Sequence, residues 1–279
     1  MVTLQNRVNA AVDAVLKKFA PIHLRAEELA VSLVELADGN TLSPADYRGS
    51  VPFYPASVIK LFYLAATHRW LEDKKISDTP ELRRALYDMI VHSGNEATGY
   101  VVDVLTDTAS GPELPPIELE AWHEKRNAVN RYFHAAGYPE INANRKTWHD
   151  GPYGRDKQAV DRFTPARNSL TANATARLLV EIATGRCVSP ARCAQMLEIL
   201  RRDFTNPNSG DAQAREFVGP GLPPTARLWS KAGFMSTARH DAAIIELADA
   251  RKLVLVIFTT RPDCKEIIPE IARRLMAGF

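Results

Sequence analysis

The order in which strand-like and helix-like patterns succeed one another constrains this chain more than any single residue. An amphipathic pattern runs over residues 4–19, and apolar residues 30–36 read as a strand, with a second short strand expected over 49–54. From Val58 to about Arg202 the periodicity is helical, with helices expected near 58–71, 80–91, 95–105, 118–134, 171–184 and 190–202. Three strand patterns follow, in ARLWSKAGF, AAIIELAD and KLVLVIFTT, and a last helix lies in EIIPEIARRLMAGF. Early and late strands can all bury their apolar faces by meeting in one sheet, which leaves the helical middle as a second lobe. The expected fold class is α+β: an antiparallel sheet of about five strands flanked by helices, with an all-helical second lobe. The expected division is 1–62 plus 207–279 for the sheet lobe and 63–206 for the helical one.

Two segments interrupt this pattern. TASGPELPPIELE, residues 108–120, reads as a Pro-rich exposed insertion before a helix. The polar run 142–163 is a loop long enough that function or mobility is expected of it. A formal charge of only +2 with scattered basic residues excludes the footprint of a nucleic-acid binder and a polybasic membrane anchor. Charges interrupt the apolar positions of the first nineteen residues, so they lack the continuous apolar region of a signal peptide, and no run is long enough to span a bilayer. Cys187, Cys193 and Cys264 have no metal-ligand spacing, and their odd number rules out a fully paired disulfide set within one chain. The expectation is a cytoplasmic protein, or a periplasmic or secreted one if a leader has been removed. Neither a Cys/His cluster nor a Gly-rich phosphate loop is present, so no metal or organic cofactor is expected.

Against this frame stands Ser57-Val58-Ile59-Lys60, where a serine after a proline turn opens an apolar helix and a lysine follows three residues later. Positions i and i+3 share a helix face, so the ammonium can reach the hydroxyl, as in an activated nucleophile. The helix N-terminus would also favour an oxyanion beside Ser57. On its own the tetrapeptide is equally what a helix cap followed by a solvated lysine produces. Two further segments change its weight: Ser93-Gly94-Asn95, between two helical patterns, and Lys231-Ala232-Gly233, on a strand. In order and spacing the three resemble the S-x-x-K, S-D-N and K-T-G set of class A β-lactamases and penicillin-binding proteins. The chain thus resembles the penicillin-recognising serine hydrolases of the β-lactamase/transpeptidase-like fold, nearest to class A. The opening helix, the Thr-rich helix start in residues 168–185 and the closing strand–strand–strand–helix order resemble that family as well.

The resemblance implies roles. Ser57 would be the acylated nucleophile, Lys60 its general base, Ser93 a proton relay to the leaving nitrogen, and Lys231 a second cation that helps bind an anionic substrate group. Asn95 would hold the substrate amide and the Lys60 side chain. Gly233 belongs to the third motif, and the backbone N–H groups of Ser57 and Phe234 would form an oxyanion hole. Arg239 would present its guanidinium to a substrate carboxylate. Local readings compete with these: Ser93 and Asn95 suit a helix cap, Lys231 the edge of a strand, and Arg239 a solvated turn.

Two departures from the family pattern carry weight. Ala232 replaces the hydroxyl residue of K-T-G and Gly94 the aspartate of S-D-N. The loop 142–163, in the place of the family's omega loop, lacks its Glu-x-x-Leu-Asn pattern and offers Asp150, Asp156 and Asp161, with Glu140 before it and His149 as a further base. The reading is a β-lactamase-like serine hydrolase that forms an acyl-enzyme on Ser57 with a small-molecule amide, lactam or ester. A penicillin-binding-protein-like peptidase, esterase or amidase acting on a non-lactam substrate is the alternative. An inert binding protein on the same fold is the reading from another class.

Overall fold

The computed structural model describes residues 3–37, 40–41 and 44–279. Its sheet has strands β1 (Leu29–Ala37), β2 (Asn40–Thr41), β3 (Ala45–Tyr47), β4 (Arg201–Arg202), β5 (Arg227–Met235), β6 (Ala238–Glu246) and β7 (Lys252–Thr259). The spatial order is β2-β1-β7-β6-β5-β4, with β3 also on β1, and every pairing is antiparallel. Four of the seven strands among the described residues are long. The count exceeds the expected five because β2, β3 and β4 are fragments of two or three residues that no hydrophobic pattern marks.

The chain forms two compact units, residues 1–58 with 171–279, and residues 59–170. In the first, one sheet face packs Val31, Leu33, Ala243, Ile245, Leu255 and Ile257 against α1 (Leu4–Lys18) and α11 (Ile267–Met276). The opposite face carries α8 (Ala172–Ala183), which touches β1, β6 and β7. Strand β6 is buried at every position, which is why it reads as an apolar run rather than an alternation. Each aliphatic side chain buried in this way contributes roughly 1.5–3 kcal/mol.

The expected boundaries shift here. Residues 171–206 were assigned by their helical pattern to the second lobe, yet α8 lies on the sheet and is followed by α9 (Pro190–Leu200) and by β4, which pairs with β5. The strand expected over 49–54 is also displaced. The pairing segment is β3, after which Arg48 turns at φ 53 and the Gly49 amide donates to Asp46 Oδ1 at 2.7 Å. The unit is completed by the short α10 (Ala212–Arg215).

The second unit holds α2 (Lys60–Glu72), α3 (Pro80–Val91), α4 (Asn95–Thr106), α5 (Pro116–Arg126), α6 (Ala128–Ala135) and α7 (Gly154–Arg162). Its core includes Phe62, Phe133 and Tyr138, whose rings meet edge to face. The helix expected over 118–134 is broken at Asn127. The Asn127 side chain bonds the His123 carbonyl and accepts from Asn130 and Asn144, the backbone-competing behaviour that makes asparagine a poor helix interior residue. The loop 142–163 is more ordered than its polarity suggests. Asn168 accepts from the amides of Asn144 and Arg145 and donates to the Arg145 carbonyl, and residues 154–162 form α7.

Candidate active site

Lys60 is the first residue of α2 and is fully buried. Its Nζ donates to the Ser93 carbonyl at 2.5 Å and lies 3.2 Å from Ser93 Oγ and 3.0 Å from Asn95 Oδ1. All three acceptors are uncharged. Burial drives the Lys60 pKa down to about 7, against a smaller opposing effect of the Glu96 carboxylate. An amine so placed has both protonation states available near neutrality, the property of a general base.

Ser93 reaches this position through a left-handed backbone at φ 58, which a non-glycine residue adopts at a cost of order 1–3 kcal/mol. The cap of α4 is Gly94, which has no side chain to offer. Ser93 and Asn95 are therefore turned to Lys60 rather than to the helix end. Asn95 Nδ2 makes a long contact of 3.5 Å with the Trp148 carbonyl, tying this cluster to the loop.

Ser57 lies in the 3-10 turn Ala56–Ile59, directly ahead of α2, and Ala56 before it has φ 46. The turn is closely approached by β5. A Cβ added to Gly233 would lie 2.7 Å from the Pro55 carbonyl oxygen and 3.0 and 3.1 Å from the amide nitrogens of Ser57 and Val58. Glycine at 233 lets the strand backbone reach the serine turn, and the strand then continues to Phe234, whose ring is 58% exposed.

A histidine that sequence reading passed over holds the same turn from the other side. His240 on β6 is fully buried, its Nε2 donates to the Tyr54 carbonyl at 2.9 Å, and its Nδ1 accepts from the Thr259 amide at 3.1 Å. These bonds need the neutral ring, and burial pushes the His240 pKa down to about 4. Its signal was present in the HD pair after Arg239, but pattern alone does not tell an inward histidine from a turn residue.

Lys231 is buried, donating to Gln213 Oε1 at 2.5 Å and to the Ala232 carbonyl at 2.7 Å. Gln213 Oε1 also accepts from the Ala232 amide, and the Arg202 guanidinium bonds the Ser230 carbonyl. Side chains thus complete the outer edge of β5 where the two-residue β4 stops. Lys231 is not an exposed edge residue. Arg239 departs from its expected role: it is buried, bonds the carbonyl and carboxylate of Glu216, and lies between the rings of Phe217 and Phe234. The Lys265 ammonium and, less strongly, Arg239 hold the Glu216 carboxyl below the usual carboxylate range.

The model of the beta-lactamase enzyme family matches residues 70–279. The chain belongs to the beta-lactamase enzyme family. The match includes Ser93, Asn95 and Lys231 but begins after Ser57 and Lys60. Among curated protein sequences none matches. Solved structures agree with the family fold. A β-lactamase from Sphaerobacter thermophilus is similar over 97% of this chain and 96% of its own, with TM-score 0.68 and 19% identity. A β-lactamase from Chitinophaga pinensis is similar over 96% and 99%, with TM-score 0.68 and 18% identity. The protein PBP-A is similar over 95% and 96%, with TM-score 0.65 and 18% identity.

Proposed function

We propose that this member of the beta-lactamase family is a serine hydrolase that acylates on Ser57, with Lys60 as general base. The substrate class is a small amide, lactam or ester. The observation that carries this reading is the state of Lys60, a buried amine brought to a pKa of about 7, held by Ser93 and Asn95, three residues after a serine in the 3-10 turn that leads into its helix. The amine would take the Ser57 proton as the oxygen attacks the carbonyl. Ser93 would pass a proton to the leaving nitrogen or oxygen. The amides of Ser57 and Phe234 would stabilise the oxyanion, each worth on the order of 10²-fold in rate. Lys231 supplies a fixed cation for an anionic substrate group. Arg239, already paired to Glu216, contributes through the position of Phe234 rather than through its own charge.

The test is intact-protein mass spectrometry after mixing with benzylpenicillin and, separately, a fluorophosphonate. The wild type should gain one covalent adduct on Ser57, and Ser57→Ala should gain none. Adduct formation in Ser57→Ala at the wild-type rate overturns the assignment.

A second reading, slow release of the acyl group as in a penicillin-binding protein, is favoured by the loop. Asp156 is buried against Arg126 at 3.4 Å, and Asp161 is tied to Lys157 at 2.6 Å. Glu140, Asp150 and His149, all exposed, remain as candidates to activate the deacylating water. Among the similar structures is a PBP-A mutant described as an acyl-enzyme complex with penicillin G. A stable adduct on mixing, with slow steady-state turnover, is the outcome this second reading expects.

A further inference from the structure

In the helical unit a cavity of about 680 Å³ adjoins the Lys60 cluster and includes Asn95 in its wall. Aromatic rings line it. Tyr100 and Tyr153 are 43% and 67% exposed, and Trp148 packs on Tyr153 with ring centroids 5.3 Å apart. The Lys146 ammonium lies 5.8 Å over the Trp148 ring, so the exposed rings of Tyr100 and Tyr153 offer the open faces, and the face of an aromatic ring is its negative side.

The charges around this cavity are unbalanced. Lys146 is paired in place, with Nζ at 2.6 Å from Asp103, a carboxylate that Arg126 also contacts at 3.2 Å, and 2.7 Å from Ser110. Glu96 and Asp150 also line the cavity, and among the described residues neither makes an ion pair. Besides the two tyrosines, the remaining titratable group of the wall is His149. Beyond it, Lys60 faces Glu96 but is itself brought toward its neutral form. Two carboxylates outside any close ion pair and two open aromatic rings thus surround a space large enough for a substituted amine.

We propose that this cavity is a subsite for an ammonium group carried by the acyl portion of the substrate. The cation would lie over the rings of Tyr100 and Tyr153, with Glu96 and Asp150 as its counter-ions. Its role as a substrate subsite rests on the hydrolase reading above, in which Asn95 holds the substrate amide; its affinity for a cation does not. A neutral acyl side chain gains only apolar contact there, and a carboxylate is repelled by both acids.

Calorimetric titration of Ser57→Ala with benzylammonium and with benzyl alcohol separates binding from chemistry. Benzylammonium should bind about tenfold tighter, and the preference should shrink with added salt and fall to about two- to threefold in the Glu96→Gln/Asp150→Asn double variant, where only the rings remain. Equal affinity for the two probes, or a preference undiminished in the double variant, overturns the proposal. In the protein with Ser57 intact, acylation by ampicillin and benzylpenicillin, which differ by one ammonium, is compared as a ratio. That ratio should favour ampicillin about five- to tenfold and fall to near one in the double variant. A calorimetric preference for benzylammonium with no adduct on Ser57 from either penicillin or the fluorophosphonate keeps the cation subsite and overturns the hydrolase reading instead. Acylation by both at equal rates, with Ser57 labelled, overturns the subsite and keeps the hydrolase.

Discussion

Lys60 in the helical unit and His240 in the sheet unit are shifted by the same cause and put to different use. Burial disfavours the charged form of both, taking Lys60 to about 7 and His240 to about 4. Lys60 starts from the higher ordinary value, so the shift leaves it poised where a proton can be taken and returned. His240 is carried past that range and is neutral throughout it. The partners agree with this division. Lys60 donates its hydrogen bonds only to uncharged acceptors, whereas His240 uses one nitrogen as donor to Tyr54 and the other as acceptor from Thr259. Burial therefore does not by itself make a base; the starting pKa and the hydrogen-bond roles decide between a proton acceptor and a fixed strut.

The largest expected effect tests the poised side. Lys60→Met should slow acylation by about 10³-fold while raising the melting temperature, because a buried amine that prefers to be charged is removed. In the wild type the acylation rate should rise with pH through about 7, as the amine loses its proton, and level off above that. If Lys60→Met keeps the same pH midpoint, the titrating group lies elsewhere.

The next effect belongs to the strut side. Gly233→Ala would place a methyl group within 2.7–3.1 Å of three backbone atoms around Ser57, so the turn or the strand must shift. A displacement of this kind should cost about 10²-fold in acylation, with an overpacking loss of about 1–3 kcal/mol in stability. An unchanged acylation rate would show that the close approach is dispensable. His240→Phe keeps the volume but strips the Tyr54 carbonyl and the Thr259 amide of their partner, at about 1–3 kcal/mol for each group left buried and unpaired. Acylation should fall about tenfold, with kcat lowered more than KM is raised. His240→Gln, which can still donate to Tyr54, should recover part of the rate.

How much of this was legible in the sequence follows from where each interaction lies. The apolar runs of β5–β7 and the spacing of Ser57 to Lys60 are local, so pattern reading reaches them. The boundary of α3 at Pro80 is marked by a Thr cap and a proline, and it was placed correctly. What pattern reading missed depends on partners distant in the chain. Gln213 completing the edge of β5, His240 reaching Tyr54, and Asn168 pinning residues 144–145 are single polar residues with no periodicity. Arg239 was read as a substrate contact because its strand position is visible and its partner Glu216 is not. The placement of α8 failed for a related reason, since a helix pattern shows an apolar face but not which surface it covers.

The smallest expected effect refines the account of the strut. His240 and Asp241 are consecutive on β6 and both fully buried, and burial moves them in opposite directions, His240 from 6.5 down to about 4 and Asp241 from 3.8 up to about 6. As pH falls from 6.5 to 4, the unfolded chain takes up a proton on histidine that the folded protein refuses, and the native state loses about 3 kcal/mol. Over nearly the same window the folded protein takes up a proton on Asp241 before the unfolded chain does, and it gains about 3 kcal/mol. The two contributions cancel, so this pair adds little slope to the stability of the wild type between pH 6.5 and 4. Asp241→Asn keeps one of the acceptors used by the Val218 and Ala242 amides but removes the titration. Denaturant unfolding of this variant should show stability falling more steeply with acid than in the wild type, by about 3 kcal/mol across the window. His240→Gln should do the reverse and flatten or invert the slope. Parallel curves for wild type and Asp241→Asn would show that the carboxyl is not protonated ahead of the unfolded chain, and that His240 is held neutral without a compensating neighbour.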